Sequence, residues 1–400
     1  MSLIILSISF FLFSLYLFLE KRRRSADIDS VPIRIHVNGT RGKSSVTRLI
    51  HSVLVEAGWN VYAKTTGSSP RLLFPDRSEI KIDRNRISIS EQGKFLRYAA
   101  ERKADAIVLE CMAVQEEYQR KSETFLVRAT HTVITNLRTD HSEWGDPTQW
   151  TELAFAETVP TGGTLVLGNS FENSILLKTA QVKRSTVFFP DSDDKGKSER
   201  FREILSRLSY REHSENLEIA DEICKKLNIP ESTIRDGMSK TRPDPGALKI
   251  VDSESNGEKI GFIFAFAAND VDSWEKIYRS AMNERRCERV VVVFNSRRER
   301  PFRTLEFSKL LSRLKEVETI HYFGPWMRAF LRVYRGTALV VDRNKKRETS
   351  GYYDPSVESP EKTKTVSNSI WIGAGNFRGS GRVWMETLCD RLREKSAWKS

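Results

Sequence analysis

One stretch near the amino terminus decides the fold of this chain. It reads Ile33-Arg34-Ile35-His36-Val37-Asn38-Gly39-Thr40-Arg41-Gly42-Lys43-Ser44-Ser45. Apolar residues alternate with polar ones up to Val37, as they do along a strand. Apolar side chains then recur at helical spacing between residues 44 and 56. The stretch therefore predicts a strand, a glycine-containing turn and a helix.

A turn of this kind between a strand and a helix is typical of a phosphate-binding loop. Backbone N–H groups at the helix start face an anion, Lys43 reaches the terminal phosphates, and the Ser44 hydroxyl is a ligand for Mg²⁺. The usual loop has a glycine where Val37 stands, so this loop is a shortened form. A plain strand–turn–helix is the alternative. The residues expected to contact a nucleotide are Asn38, Gly39, Thr40, Arg41, Gly42, Lys43, Ser44 and Ser45.

The composition is that of a folded protein with a substantial positive charge. A length of 400 residues predicts two folded domains. The formal net charge of +12 is explained either by solubility together with a membrane-proximal patch, or by an acidic partner such as a nucleotide, an anionic lipid or a polyanionic product. The sequence has no recognisable nucleic-acid-binding motif, so nucleic acid is not an expected partner. The four cysteines are widely spaced, which favours a reducing compartment and argues against a zinc site.

An apolar segment precedes the phosphate loop. Residues 2–19 carry no charge and as a helix would span about 27 Å, close to the thickness of a bilayer core. Lys21, Arg22, Arg23 and Arg24 follow, which places the rest of the chain in the cytoplasm. Residues 1–24 are therefore predicted to be a single-pass anchor in the cell membrane. A signal peptide and a buried helix are weaker alternatives.

Polar residues follow two later buried strands. Glu110 ends the strand at residues 106–109, and Asp140 and His141 come shortly after the strand at residues 132–135. Ligand chemistry collects at the carboxyl ends of parallel strands, so we expect these side chains near the loop. Glu110 is a candidate Mg²⁺ ligand, with a structural salt bridge as the alternative. Asp140 and His141 are candidates to bind a metal or to orient a nucleophile.

The remaining pattern predicts an α/β protein with a second alternation of strands and helices. Residues 241–246 break regular structure and are the best domain boundary. The predicted architecture is the transmembrane helix, then a P-loop ATPase-type parallel-sheet domain over residues 30–243, then a smaller Rossmann-like domain over residues 246–400. Residues 72–82 predict a short hairpin, and residues 191–200 a surface loop.

These motifs resemble those of the Mur ligase superfamily of ATP-dependent amide-forming ligases. The points of resemblance are the loop at residues 39–44, Glu110, Asn136 with Asp140 and His141, His213 with Asn216, and Pro245-Gly246. Within the superfamily the chain resembles the ligase family of poly-γ-glutamate synthases. That resemblance rests on residues 36–50, 63–67, 110–113, 297–303 and 373–379, together with the apolar amino terminus.

The chain also departs from the superfamily pattern. Many Mur ligases carry a carbamylated lysine where residues 155–158 contain none, and Glu157 is a candidate to supply a carboxylate instead. Residues 265–270 lack the Asp and His usual in the second domain of the muramyl enzymes. The UDP-binding first domain of those enzymes is also missing. These departures argue against a nucleotide-sugar peptide as substrate.

The resemblance implies that ATP phosphorylates the terminal carboxylate of poly-γ-glutamate and that incoming glutamate then displaces phosphate. The implied catalytic residues are Lys43, Glu110 and His141, and the implied Mg²⁺ ligands are Ser44, Glu110 and His141. Asn216 and Arg298 are the implied additional nucleotide contacts. The expected partners are small membrane subunits of a synthase or export complex, and a homo-oligomer is an open possibility. The alternatives are a membrane-anchored P-loop ATPase of a capsule system and a folylpolyglutamate synthase.

Overall fold

The structure of the chain is a computed structural model. It describes residues 2–67, 69–82, 88–137, 147–168, 175–190, 195–208, 210–255, 258–268, 270–285, 287–344 and 368–397. The backbone contacts divide the chain into two units, Met1–Asp244 and Pro245–Ser400. The division falls inside residues 241–246, where the sequence breaks regular structure. Each unit has its own sheet and its own core.

The first unit is built on an eight-stranded sheet. Its strands are β1 Ile33–Asn38, β2 Val61–Lys64, β3 Arg71–Leu73, β4 Glu79–Lys81, β5 Ala106–Glu110, β6 His131–Ile134, β7 Thr164–Leu167 and β8 Thr186–Phe188. They lie in the order β4-β3-β2-β5-β1-β6-β7-β8. The pairs from β2 to β8 are parallel, and β3 and β4 form an antiparallel hairpin at one edge. The predicted hairpin is thus confirmed.

The helices of the first unit flank this sheet, except α1, whose residues 4–23 are exposed. They are α1 Ser2–Asp29, α2 Lys43–Glu56, α3 Ser90–Ala100, α4 Glu116–Lys121, α5 Pro147–Ala156, α6 Ile175–Val182, α7 Lys195–Arg207, α8 Ser214–Lys226 and α9 Glu231–Ser239. A π-helical turn, Ser122–Val127, continues α4 directly. The apolar face of α2 is fully buried and packs against α8 and α9. Gly237 makes this approach possible, because a Cβ there would lie 2.6 Å from the Val53 Cα.

The second unit carries a six-stranded sheet. Its strands are β9 Lys249–Ser255, β10 Glu258–Phe264, β11 Arg289–Asn295, β12 Val317–Phe323, β13 Leu339–Asp342 and β14 Ser369–Gly375. Its helices are α10 Val271–Glu284, α11 Pro301–Leu311, α12 Met327–Val333 and α13 Ser380–Ala397. The order is β13-β12-β11-β14-β10-β9, parallel except for the β9–β10 pair. The predicted α/β fold with two sheets is confirmed.

One local prediction differs from the structure. Residues 195–200 were expected in a surface loop, but α7 begins at Lys195 and is amphipathic, with Phe201 and Ile204 buried. The many charged residues before position 200 mask its helical periodicity.

Helix α1 continues past the basic cluster to Asp29, and Ile28 in its last turn packs into the core of the first unit.

A buried histidine in the second unit makes stability sensitive to acid. His321 on β12 is 2% exposed, its Nδ1 accepts from Arg343 Nε at 3.1 Å, and its ring stacks on Trp371. Burial, and secondarily the Arg343 cation, lowers the pKa of His321 to about 3. An unfolded histidine has a pKa of about 6.5, so the unfolded state binds the proton first.

We therefore expect His321 to add stability above about pH 6.5 that is lost as the pH falls toward about 3. The substitution His321→Phe keeps the aromatic stacking and removes the proton site. Denaturant unfolding measured over this pH range should give a shallower loss of stability on acidification for the variant. His213→Gln, which removes an exposed histidine, is the control. An equally steep loss in His321→Phe and in the unsubstituted chain would contradict the prediction.

Candidate active site

The loop between β1 and α2 turns tightly at two glycines. Gly39 has φ +128° and Gly42 has φ +80°, which are backbone conformations that favour glycine. A Cβ on Gly39 would lie 2.1 Å from Thr135 Oγ1, and one on Gly42 would lie 2.3 Å from Asn216 Oδ1. Asn216 is itself held by Glu212, whose Oε1 accepts from Asn216 Nδ2 at 2.7 Å. The loop thus has no room for side chains at either turn.

The residues after β6 hold this loop from one side. Asn136 Oδ1 accepts from the Arg41 N–H at 3.0 Å, and Asn136 Nδ2 donates to the Arg41 carbonyl at 3.1 Å. The Thr40 N–H donates to the Asn136 carbonyl at 3.0 Å. Thr135 Oγ1 also donates to the Arg41 carbonyl, at 2.5 Å. These bonds satisfy the N–H and the carbonyl group of Arg41 and fix the position of the loop relative to the end of β6.

Lys43 and Ser44 stand at the first turn of α2. Lys43 Nζ donates to the Gly39 carbonyl at 2.6 Å, so the ammonium group lies over the loop. Ser44 Oγ donates to Glu110 Oε2 at 2.8 Å, and the Thr66 N–H donates to the same oxygen at 2.7 Å. Glu110 is 3% exposed at the end of β5. The strand register explains this meeting, because β5 pairs with β1 and places Glu110 beside Val37.

A buried polar ladder supports the loop from behind. On one face of β1, His36 and Asn38 are buried, and they meet Glu123 and Gln119 on the segment formed by α4 and the π-helical turn. Asn38 Oδ1 accepts from the Gly39 N–H at 2.8 Å. Asn38 Nδ2 donates to Gln119 Oε1 at 2.7 Å and to Thr158 Oγ1 at 3.1 Å. Asn38 therefore holds the Gly39 N–H at the start of the loop and is itself held by the buried side chains of Gln119 and Thr158.

The second rung of the ladder is an ion pair. His36 Nδ1 lies 3.1 Å from Glu123 Oε2, and Glu123 Oε1 also accepts from the Ala129 N–H at 2.6 Å. Burial opposes a charge on His36, but Cys111 and then Glu123 raise its pKa above the ordinary value. Breaking such a buried pair by removing one partner is costly, because the other charge is left uncompensated.

The other residues singled out in the sequence lie in three different places. Asp140 and His141 fall outside the described residues. Arg298 lies in the second unit, exposed after β11, and its carbonyl accepts from Trp326 Nε1 at 3.3 Å. Glu157 follows α5 in the first unit, and its carbonyl accepts from Lys183 Nζ at 3.3 Å. Of the predicted set, the structure therefore brings together the loop, Glu110 and Asn216.

The arrangement fits a nucleotide phosphate with a divalent cation. The Gly39, Thr40 and Arg41 N–H groups are bonded to Asn38 and Asn136, so the part of the loop suited to an anion is the start of α2, which a Cβ on Gly42 would crowd. A serine hydroxyl and a carboxylate oxygen 2.8 Å apart are the oxygen donors that Mg²⁺ prefers. The described residues contain no cluster of three or more metal-ligating His, Cys, Asp or Glu side chains.

Comparison with known proteins bears directly on this site. Residues 37–224 match the Mur ligase middle domain, and residues 250–391 match the poly-gamma-glutamate synthase CapB C-terminal domain. The chain is 31% identical over 379 residues to PGA synthase CapB of Bacillus subtilis (strain 168), covering 92% of this chain and 93% of that protein. The chain belongs to the CapB family. Its enzyme class, an ATP-dependent amide ligase, is confirmed with it.

Other comparisons agree with this assignment. The capsule biosynthesis protein CapB of Bacillus anthracis is 29% identical over 395 residues, which cover 95% of this chain and 80% of that protein. Among solved structures, a bifunctional folylpolyglutamate synthase/dihydrofolate synthase from Yersinia pestis, complexed with AMPPNP and a Mn ion, matches with a TM-score of 0.64. It shares 13% identity and covers 93% of this chain and 92% of its own. At that identity the likeness shows the fold alone.

The sequence did not predict several residues that support the site in this CapB-family chain. Gln119, Glu123 and Thr158 are polar residues in segments that read as ordinary helix or loop. One sequence signal could have indicated their shared role, because Gln119 and Glu123 are four residues apart and therefore lie on one face of a helix. The second unit has a separate polar cluster of its own, in which Asn295 and Asn376 exchange bonds between side-chain amide and backbone carbonyl, both at 3.0 Å. Arg303 Nη1 donates to Asn376 Oδ1 at 2.6 Å.

The turn at Gly42 can be tested against a matched glycine. Gly42 and Gly58 both have φ +80°, but a Cβ on Gly58 meets nothing within 4 Å. Each alanine substitution forces a left-handed conformation that costs roughly 1–2 kcal/mol. Only Gly42→Ala also displaces Asn216 and covers the cradle. We expect Gly42→Ala to abolish nucleotide binding by titration calorimetry and Gly58→Ala to retain it. Equal affinities in the two variants would contradict the cradle.

The ladder can be tested at Gln119. The substitution Gln119→Ala leaves the buried Asn38 Nδ2 without one of its two acceptors. We expect this to lower the free energy of unfolding by about 1–3 kcal/mol. We expect weaker nucleotide binding with it, because Asn38 holds the Gly39 N–H. Gln115→Ala, at an exposed residue just before α4, is the control and should change nothing. If Gln119→Ala bound nucleotide normally, Asn38 would not need this support.

Proposed function

We propose that this chain adds glutamate to a growing poly-γ-glutamate chain at the expense of ATP. The observation that carries the proposal is the Ser44–Glu110 pair beside the glycine loop. It occurs in a chain 31% identical to a protein named PGA synthase CapB. The net charge of +12 also suits a polyanionic product.

The first proposed step is phosphoryl transfer. An oxygen of the terminal carboxylate attacks the γ-phosphorus of ATP, the bond to the β-phosphate oxygen breaks, and ADP leaves. Such a transfer needs positioning and neutralisation of charge more than covalent catalysis. The N–H groups at the start of α2 and the Lys43 ammonium group are proposed to hold the phosphates. Arg298, in the arginine-rich segment of the second unit, is proposed to reach the nucleotide when the two domains close, and Asn216 to bind it from the first.

The second proposed step forms the amide. The amine of the incoming glutamate attacks the acyl carbon of the acyl phosphate, loses a proton, and inorganic phosphate leaves with the bridging oxygen. His141 remains a proposed catalytic residue for charge stabilisation, and Glu157 a candidate to replace the carbamylated lysine of Mur ligases. Closure that excludes water at this stage would protect the acyl phosphate from hydrolysis.

Mg²⁺ is the proposed divalent cation. Ser44 and Glu110 would hold it, with His141 as a further candidate ligand. When bound, it would supply neutralisation of the charge on the transferring phosphoryl group. The solved structures with this fold support the proposal, since one of them is described with a Mn ion and AMPPNP.

The proposed location is the cytoplasmic face of the cell membrane. Within the described residues one helix is long and apolar enough to cross a bilayer, at residues 4–29. Its apolar side chains are exposed, as Phe10 at 72% illustrates. The basic cluster at residues 21–24 favours a cytoplasmic catalytic domain. Small membrane subunits of a synthase and export complex are the proposed partners, and a homo-oligomer is part of the same hypothesis.

The proposal predicts ADP release that depends on glutamate. Membranes carrying the full chain should release ADP faster on addition of glutamate, and Lys43→Ala should remove that release, because the γ-phosphate loses its cation. The expected loss is at least about 10²-fold, the usual cost of removing one electrostatic contact to a transition state. Lys240→Ala is the matched control, since Lys240 is an exposed lysine of the same unit that pairs with Glu56.

The same assay separates the alternatives. Polymer formation that is undiminished in Lys43→Ala would refute the mechanism. ADP release that ignores glutamate would favour an ATPase of a capsule or export system. Release that requires a folate substrate would favour a folylpolyglutamate synthase.

A further inference from the structure

The apolar helix α1 ends inside the core of the first unit. Ile28, in its last turn, is 2% exposed and Val31, just beyond it, is fully buried. Both belong to a cluster that includes Phe95, Leu96 and Ile107 of α3 and β5. A helix that ends in this way is not tethered by a flexible linker, so its direction is set by the domain.

Arg34 closes the end of this helix. Arg34 Nη1 donates to the Val31 carbonyl at 2.6 Å and to the Ile28 carbonyl at 3.3 Å, and Arg34 Nε donates to the Arg128 carbonyl at 2.9 Å. The last carbonyls of a helix have no partner within the helix, and a cation there is favourable. One side chain of β1 thus joins the end of α1 to the end of the π-helical turn.

Arg128 makes the reciprocal connection. It ends the π-helical turn at φ +47°. Its Nη1 donates to Ser25 Oγ at 3.1 Å, and its Nη2 lies 3.2 Å from Asp29 Oδ1. Exposed pairs of this kind add little stability, but they restrict rotation of α1 about its own axis. Arg34 and Arg128 together form a joint, which we call the anchor joint.

The anchor joint lies at the opposite end of the sheet from the active site. Val31 and Arg128 precede the amino ends of β1 and β6, whereas Ser44 follows the carboxyl end of β1 and Glu110 is the last residue of β5. Six residues of β1 separate the two ends, or about 20 Å at 3.3 Å per residue. The basic cluster at residues 21–24 precedes Ile28 by little more than one helical turn, about 6 Å. The joint must therefore lie just beneath the headgroups if α1 spans the membrane.

We infer that the amino-terminal edge of the first sheet faces the anionic leaflet and that the carboxyl edge, with Ser44 and Glu110, faces away from it. Arg102 and Lys103 are exposed at this edge between the exposed carboxylates Glu101 and Asp105, so the inference rests on the position of α1 and not on the local net charge. ATP and glutamate then reach the active site from the cytoplasm, and a growing chain must pass around the domain to reach the membrane. The inference rests on the proposed membrane span.

Two residues placed symmetrically about β5 give the test. Arg102 lies four residues before Ala106 and Val114 four residues after Glu110, and both are exposed. Arg102→Cys and Val114→Cys, each made in full-length Cys287→Ser protein, would be labelled with a fluorophore. The three other cysteines, Cys111, Cys224 and Cys389, are buried. The labelled proteins are reconstituted in phosphatidylcholine–phosphatidylglycerol vesicles that contain lipid spin-labelled at the headgroup.

We expect the label at residue 102 to be quenched several times more strongly than the label at residue 114. Equal quenching, or stronger quenching at residue 114, would overturn the inferred orientation. Protein that fails to float with the vesicles would refute the span and the orientation together. Glutamate-dependent ADP release, measured on the same samples, tests the proposed ligase separately. Arg128→Ala should loosen the joint and reduce the difference between the two labels; an unchanged difference would remove Arg128 from the joint.

Discussion

The fold of the first unit depends on one constraint, the space that the loop between β1 and α2 must keep free. A phosphate can approach backbone N–H groups only where no Cβ intervenes. At Gly42 that space is bounded by the Asn216 side chain, and at Gly39 by the side chain of Thr135. The loop is therefore shaped by two other parts of the chain, the end of β6 and the start of α8. Asn136 completes the enclosure by binding both backbone groups of Arg41.

The order of the strands supplies these neighbours. β1 lies between β5 and β6, so the ends of two strands that are distant in sequence flank the loop. One of them brings Glu110 to Ser44, and the other brings Asn136 to Arg41. Right-handed crossovers between parallel strands require the intervening helices, which cover the sheet and exclude water from beneath the loop. The ladder from His36 and Asn38 to α4 and the π-helical turn uses this dry interior.

The two ends of the first sheet carry different tasks. Its carboxyl edge holds the oxygen donors and the phosphate cradle, as parallel sheets usually do. Its amino edge receives the end of α1 through Arg34 and Arg128. Strand β1 runs from one edge to the other. The inferred membrane contact and the Ser44–Glu110 pair are therefore separated by the length of this strand. The second unit repeats the polar edge with Asn295 and Asn376 after its own strands.

Sequence periodicity predicted the strands of both sheets because a buried parallel strand is a short apolar run whatever its neighbours are. It missed α7, where charged residues mask the apolar face. The motif at residues 39–44 and Glu110 were predicted from residue type and from position at a strand end. Gln119, Glu123 and Thr158 were not, because polar residues in a helix or loop carry no local sign of a buried partner.

The sequence by itself thus determined the local elements, the glycine loop between β1 and α2 and the long apolar helix α1, since each is encoded by neighbouring residues. Only the tertiary structure decided which side chains meet. Ser44 and Glu110 are 66 residues apart, and Arg41 and Asn136 are 95 apart. Such pairs are chosen by strand order and register, which arise when distant segments pack together. The shortened loop specifies what can be bound, and the sheet around it decides how the binding groups are held.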